Sequence, residues 1–355
     1  MRRGLVVGKF MPLHRGHQLL IETALANVDE LTVVVYNTNV GEEWEKLMPA
    51  WKRAGWVSRL YPNIENIVVW PDTLPGDYKE HDDPAYARHY AEELQFLGPF
   101  THVFSSEAYG EPFAQAINTI QVEEHYRKTA RLGNEPRCYH VEVDAARNLM
   151  PISGTLLRDK LFEYRAYVDP LVYRSLIQKV VFVGTESTGK STLAKRMAEE
   201  YETMYTSEYG RTLWVQKASN GIKPSFSDLL LVGRTQYEQE QAAALHSNRF
   251  LFCDTNAWTT MLWSEMYYNT ADQRLIDLAR DTMDEYIWIL CNNDFGWVDD
   301  GTRELKDGKS NWFQRVNRDT LNEWGIDYWQ VTGPLEERVK QVKSILASPV
   351  LEYAV

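Results

Sequence analysis

The stretch Gly184-Thr185-Glu186-Ser187-Thr188-Gly189-Lys190-Ser191 follows G-x-x-x-x-G-K-[ST] without a mismatch. It lies between two patterns that suit it. Lys179–Gly184 is an apolar run into glycine and reads as a buried parallel strand, while Ser191 to about Glu200 reads as a helix. A loop of this kind belongs between a strand and a helix of a parallel α/β sheet. Its glycines let successive backbone N–H groups face one anion, and the helix dipole adds to the attraction. Gly184, Glu186, Ser187, Thr188 and Gly189 are thus the expected phosphate cradle, with Thr192 a further contact. Lys190 is expected to reach the β- and γ-phosphates of ATP, and the Ser191 hydroxyl to ligate Mg²⁺. Phe250–Asp254 is an apolar run ending in aspartate, which makes Asp254 the second expected metal ligand. These elements bind a nucleotide without naming its acceptor. The shortness of the segment favours a small-molecule kinase over a GTPase switch or a motor.

The start of the chain repeats the gesture. Gly4–Gly8 reads as a strand, Gly16–Asn27 as a helix and Leu31–Tyr36 as a second strand, which makes a βαβ unit. Strands at Ile67–Trp70 and His102–Phe104 alternate with helical patterns at Trp51–Leu60 and Ala85–Leu97. Later strands are expected at Thr203–Thr206, Phe250–Cys253 and Ile287–Leu290, and helices at Ser227–His246 and Thr320–Trp324. Leu161–Gln178 reads as the terminal helix of the first half. The expected organisation is two α/β domains, residues 1–178 and 179–355, each a parallel sheet flanked by helices.

His14 and His17 stand three apart where the first helix begins, hence near one face. Beside the positive end of a helix dipole, two imidazoles suit a bound polyphosphate. Zinc is one competing use, though no further Cys or His lies within sixty residues, and a purely structural pair is the other. Gly16 lets a phosphate approach the backbone. Ile152-Ser153-Gly154-Thr155-Leu156-Leu157-Arg158 supplies capping residues and a cation that is expected in the first turn of another helix.

Composition excludes several alternatives. With 38 Lys+Arg against 50 Asp+Glu the net charge is −12, a poor match to nucleic acid. Apolar runs are too short for a membrane span, and Cys138, Cys253 and Cys291 form neither a disulfide framework nor a metal pair. A cytoplasmic protein is expected, without nucleic-acid or membrane partners. Its oligomeric state stays open, a homo-oligomer included.

Gly8-Lys9-Phe10-Met11-Pro12-Leu13-His14-Arg15-Gly16-His17 together with Ile152–Arg158 resembles the HxGH/ISxTxxR nucleotidyltransferases, which have a Rossmann-like fold. Followed by a phosphate-loop domain, this order resembles the bacterial NadR family. Ser207–Arg211, Asp254-Thr255 and Trp297–Arg303 look like that family's kinase domain. The resemblance implies two consecutive reactions in NAD biosynthesis. The second domain would phosphorylate nicotinamide riboside to nicotinamide mononucleotide (NMN), and the first would join NMN to the AMP part of ATP, giving NAD and pyrophosphate. It further implies that Gly8, Lys9, Phe10, Gly16, His14, His17, Ser153, Thr155 and Arg158 hold ATP in the first domain. Three departures stand out. The first strand begins at residue 4, so no helix-turn-helix repressor domain is expected. The aromatic segment near the nicotinamide pocket is reduced to Asp83-Pro84-Ala85-Tyr86, leaving Tyr86 to stack. The family's D-T-D is Asp254-Thr255-Asn256.

Glu208 follows the strand Thr203–Thr206, whose end should open onto the crevice of the phosphate loop. It is a candidate general base, a ribose ligand or a structural partner of Arg211. Tyr209 and Arg211 offer a nucleoside an aromatic face and a cation, Trp297 is a further candidate ring, and Arg303 would stabilise charge on the transferred phosphoryl group.

Overall fold

In the computed structural model, which describes residues 1–37, 41–71, 84–130, 137–294 and 309–347, each expected nucleotide motif follows the central strand of its own parallel sheet. The first sheet has the order β3-β2-β1-β4-β5, from β1 (Arg3–Gly8), β2 (Glu30–Asn37), β3 (Asn66–Pro71), β4 (His102–Ser105) and β5 (Tyr139–Glu142). Every pairing is parallel, with Val6 opposite Val33 on one side and Phe104 on the other. Leu5, Val6, Val33 and Val103 are fully buried, as expected of strands covered on both faces. The covering helices include α1 (Arg15–Asn27), α2 (Glu42–Leu47), α3 (Ala50–Leu60), α4 (Pro84–Leu94), the twenty-residue α5 (Gly110–Thr129) and α6 (Gly154–Asp159).

The short helix α7 (Pro170–Ser175) precedes the second sheet. Its order is β10-β9-β6-β8-β7, from β6 (Gln178–Val183), β7 (Met204–Thr206), β8 (Phe250–Asp254), β9 (Tyr286–Cys291) and β10 (Tyr328–Val331), again all parallel. Val180, Val181, Phe182 and Val183 are fully buried at its centre. Around it lie α8 (Lys190–Glu200), α9 (Tyr209–Ser219), α10 (Phe226–Ala244), α11 (Ala257–Tyr268), α12 (Gln273–Asp281), α13 (Lys309–Glu323) and α14 (Leu335–Leu346). Leu193, Met197 and Phe252 pack with Val339 and Val342 in the core of this unit. Two α/β units are therefore present.

The units divide as Met1–Val172 and Tyr173–Val355. The expected continuous helix over Leu161–Gln178 does not form. Instead a 3₁₀ turn (Arg165–Tyr167) is followed by α7, and β6 starts at Gln178. Proline lacks an N–H and is accommodated only in a first helical turn, so Pro170 restarts the helix. Asp169 accepts from the Leu171 N–H at 2.9 Å and marks that start. Tyr173 already belongs to the second unit, where its hydroxyl donates to the Ser247 carbonyl at 2.7 Å. The expected boundary at 178/179 coincides with the start of β6 instead.

Candidate active sites

In the first unit, the site grows from the turn after β1. His14 is the N-cap of α1, and its Nδ1 accepts from the Gly16 N–H at 3.2 Å. The Nδ1 of His17 accepts from the His14 N–H at 3.4 Å. The rings stack at 3.7 Å between centroids, and the buried Phe10 closes edge-on against His17. With each Nδ1 used as an acceptor, a neutral ring carries its proton on Nε2. Burial, reinforced by Arg147, lowers the His14 pKa to about 4 and holds His17 well below its ordinary value. Near neutral pH the pair therefore stands as neutral N–H donors, not as imidazolium ions.

The Ile152–Arg158 motif closes on the same turn. Ser153 caps α6 by accepting from the Leu156 N–H at 3.2 Å. A Cβ on Gly154 would stand 2.9 Å from the Met11 carbonyl, so the close approach requires glycine. Arg158 does not lie in the first turn, as expected from the sequence, but in the last turn of this six-residue helix. Helical side chains point back toward the N-terminus, and its guanidinium donates to Met11 O at 2.7 Å and Thr155 Oγ1 at 3.2 Å. The cation still reaches the helix start, by reach and not by sequence position.

Sequence reasoning passed over two arginines here. Arg53, fully buried on α3, donates to the carbonyls of Lys9, Met48 (2.7 Å) and Tyr36 (2.8 Å), and so braces the loop after β1. Arg147 has φ +52 in a turn held by Asp144, whose carboxylate accepts from the N–H groups of Asn148, Leu149 and Met150. The signal for Arg147 was its place just ahead of the Ile152–Arg158 motif; Arg53 sits within an ordinary amphipathic helix and gave none. Tyr86 lies half-buried on α4 and, among the described residues, makes no ring contact or hydrogen bond with the histidine pair.

In the second unit, the loop after β6 turns through Gly184 (φ +132), where a Cβ would meet the Cys291 carbonyl at 2.8 Å, and through Gly189 (φ +78). Lys190 Nζ donates to the carbonyls of Gly184 (2.9 Å) and Thr185 (2.7 Å), folded over its own loop. Thr188 Oγ1 donates to Thr185 O at 2.9 Å. A cleft of about 240 Å³ opens beside it, lined by Glu186–Thr192 along one side and by Glu208, Gly210 and Arg211 along another. Trp214, Trp263 and Tyr267 supply its aromatic face. The Trp263 and Tyr267 rings stack at 5.5 Å, as their i, i+4 spacing on α11 permits. These three rings were the missed functional candidates. Tyr209 is not among the lining residues; its backbone N–H donates to Gln236 Oε1 at 2.9 Å. Trp297 and Arg303 lie outside the described residues.

Asp254 ends β8 at 2% exposure, and its Oδ1 has no hydrogen-bond partner. Burial raises its pKa, against the opposing influence of Lys190 and the Ser191 hydroxyl. A buried carboxylate oxygen left unpaired, with a hydroxyl and phosphate-binding amides beside it, fits a magnesium ion. No group of three or more His, Cys, Asp or Glu is placed to hold a metal among the described residues, and a phosphate-bound magnesium takes only one or two protein ligands. Glu208 shares this field: burial first, then the Asp254 charge, raise its pKa, while Lys190 and Arg211 oppose the rise. Its carboxylate stands 3.5 Å from Arg211. Asn256, where the resembling family has a carboxylate, caps α11 by accepting from the Thr259 N–H at 3.2 Å. Thr255 between them has φ +69, a strained setting for a β-branched residue and one that concentrates at functional sites.

Residues 5–160 match the cytidylyltransferase-like family and residues 179–338 the AAA domain family. Over 341 residues, 92% of this chain and 78% of the other, the sequence is 28% identical to the trifunctional NAD biosynthesis/regulator protein NadR of Escherichia coli (strain K12). The chain is a NadR homologue. A crystal structure of NadR in complex with NR shares the fold over 97% of this chain and 95% of that one, with 19% identity and a TM-score of 0.54. One of NadR with NAD and AMP-PNP gives 18% identity and a TM-score of 0.51 at the same coverage. In this NadR homologue the first unit is nucleotidyltransferase-like and the second is P-loop kinase-like. Among the described residues, no helix is long and apolar enough to cross a membrane.

Proposed function

We propose that this NadR homologue carries out two consecutive steps of NAD biosynthesis, phosphorylating nicotinamide riboside in its second unit and adenylylating NMN in its first. One observation carries the reading: two separate anion cradles, each at the point where its own parallel sheet reverses strand order. There ligands of open α/β sheets bind. In the second unit the loop amides and Lys190 hold the phosphates of ATP, and the aromatic face receives the base of the riboside. Ser191 and Asp254 would hold magnesium, which neutralises phosphate charge when bound. Glu208, its pKa raised toward the working range, takes the proton of the attacking 5′-hydroxyl.

In the first unit the Nε2–H groups of His14 and His17 donate to the ATP phosphates, together with Ser153, Thr155 and Arg158. The phosphate of NMN attacks the α-phosphorus in line; the new P–O bond forms as the bond to pyrophosphate breaks. Positioning and charge stabilisation supply the catalysis, with no covalent intermediate.

The test is to incubate the pure protein with ATP, Mg²⁺ and nicotinamide riboside and to follow NMN and NAD by mass. Lys190→Ala should abolish riboside phosphorylation while sparing NAD formation from supplied NMN, and His17→Ala should do the reverse. Loss of both activities in either folded variant would refute the two-site reading.

A further inference from the structure

Gln236 is the one side chain of the kinase cleft that is both buried and half-bonded among the described residues. Leu229, Val232 and Gln236 recur at helical spacing on α10 and line the cleft together. Gln236 is 1% exposed. Its Oε1 accepts the Tyr209 N–H at 2.9 Å, which fixes the sense of the amide: the oxygen faces the start of α9, and the nitrogen faces the other way. That Nε2 has no hydrogen-bond partner.

A buried amide donor without an acceptor is unfavourable and calls for an explanation. The phosphate end of the cleft is served by Lys190 and Ser191, and Glu208 is engaged by Arg211 at 3.5 Å. Apart from Thr255, Thr259 and Thr260, the remaining side chains of the lining, Trp214, Leu229, Val232, Trp263 and Tyr267, are apolar or aromatic and suit a flat heterocycle. An acceptor arriving there belongs to the base of the nucleoside, not to its phosphate partner.

We propose that Gln236 reads the base of the acceptor nucleoside, its Nε2–H donating to an exocyclic carbonyl oxygen such as that of a carboxamide. The assignment rests on the kinase reading above and deepens it. A site built to donate a hydrogen bond discriminates against an analogue that lacks the acceptor, because the buried donor is then left unpaired. The expected substrate class is a riboside whose base carries a carbonyl, and ribosides of the same shape without one are expected to be poor substrates.

Purified protein is assayed with nicotinamide riboside and with pyridine riboside, which lacks the carboxamide, at saturating ATP. The wild type should favour nicotinamide riboside in kcat/KM by about tenfold or more. Gln236→Glu keeps an acceptor for the Tyr209 N–H but replaces the donor with a carboxylate oxygen. It should lose most of that preference by acting poorly on nicotinamide riboside, with ATP affinity and the urea midpoint held. Equal turnover of the two ribosides by the wild type overturns the assignment without needing the variant. So does an undiminished preference in Q236E. A wild type that phosphorylates neither riboside overturns the kinase reading itself, and this assignment with it.

Discussion

Arg338 offers the sharpest link between a buried contact and nucleotide binding. It is 1% exposed on α14, and its guanidinium donates to the carbonyls of Thr188 (2.6 Å), Gly333 (2.7 Å) and Asn292 (2.9 Å) and to Asp294 Oδ2 (3.0 Å). Arg338→Met keeps the length of the side chain and removes every one of these donors. Asp294 is a quarter exposed and can rehydrate, whereas the Thr188 carbonyl is enclosed by the phosphate loop. Removing one partner from a buried, charge-assisted set costs about 3–5 kcal/mol. For a unit of this size a urea slope near 3 kcal/mol/M converts that to a midpoint shift of roughly 1 M or more. Because Thr188 lies within the loop that presents Lys190, the KM for ATP in riboside phosphorylation should rise about tenfold, with adenylyl transfer to NMN unchanged. The assay is urea inactivation of each activity in turn, with ATP kinetics at zero denaturant. A shift below about 0.3 M, or equal loss of both activities, would refute the idea that Arg338 braces the loop.

Glu208→Gln should lower kcat for riboside phosphorylation by roughly 10²-fold with riboside KM largely kept. Since its pKa is raised, wild-type kcat should fall as pH drops through that value, because the protonated acid accepts no proton; a variant that retains the acid limb would assign the limb to another group. His14, depressed to about 4 from 6.5, binds its proton more weakly folded than unfolded, so stability present above pH 6.5 is lost between pH 6.5 and 4. That loss is at most about 3 kcal/mol, and His14→Asn should flatten the pH dependence of the urea midpoint in that window. Gly154→Val should abolish adenylyl transfer and spare the kinase, given the 2.9 Å approach of a Cβ to the Met11 carbonyl; an active variant would show that this close approach is not needed.

Some of this protein could be read without its structure. The buried strands announce themselves, because a parallel strand covered on both faces must be apolar along its length, as Val180–Val183 is. The two cradles were legible for a related reason: their geometry is local, made by a strand end, a few glycines and a helix start within about ten residues. Several regular elements escaped, α9, α11, α12, β10 and α14 among them, and two show why: β5 is four residues with Val141 as its one aliphatic side chain, and α5 buries a face that its mixed composition does not advertise. The assumed helix over Leu161–Gln178 ignored Pro170.

What tertiary structure decided is everything that joins residues distant in the chain. The neutrality of His14 and His17 comes from burial and from Arg147, more than a hundred residues away. Arg158 reaches Met11 across the first unit, and Arg338 reaches the phosphate loop from the last helix. The aromatic face of the kinase cleft is drawn from α9 and α11, whose rings are indistinguishable by spacing from core residues such as Trp258. Periodicity says which side of a helix is buried; only the packing says against what, and whether a polar atom such as Gln236 Nε2 or Asp254 Oδ1 arrives there without a partner. That is why the proposed phosphate cradles could be read from local backbone chemistry, while the proposed reading of a base had to await the fold.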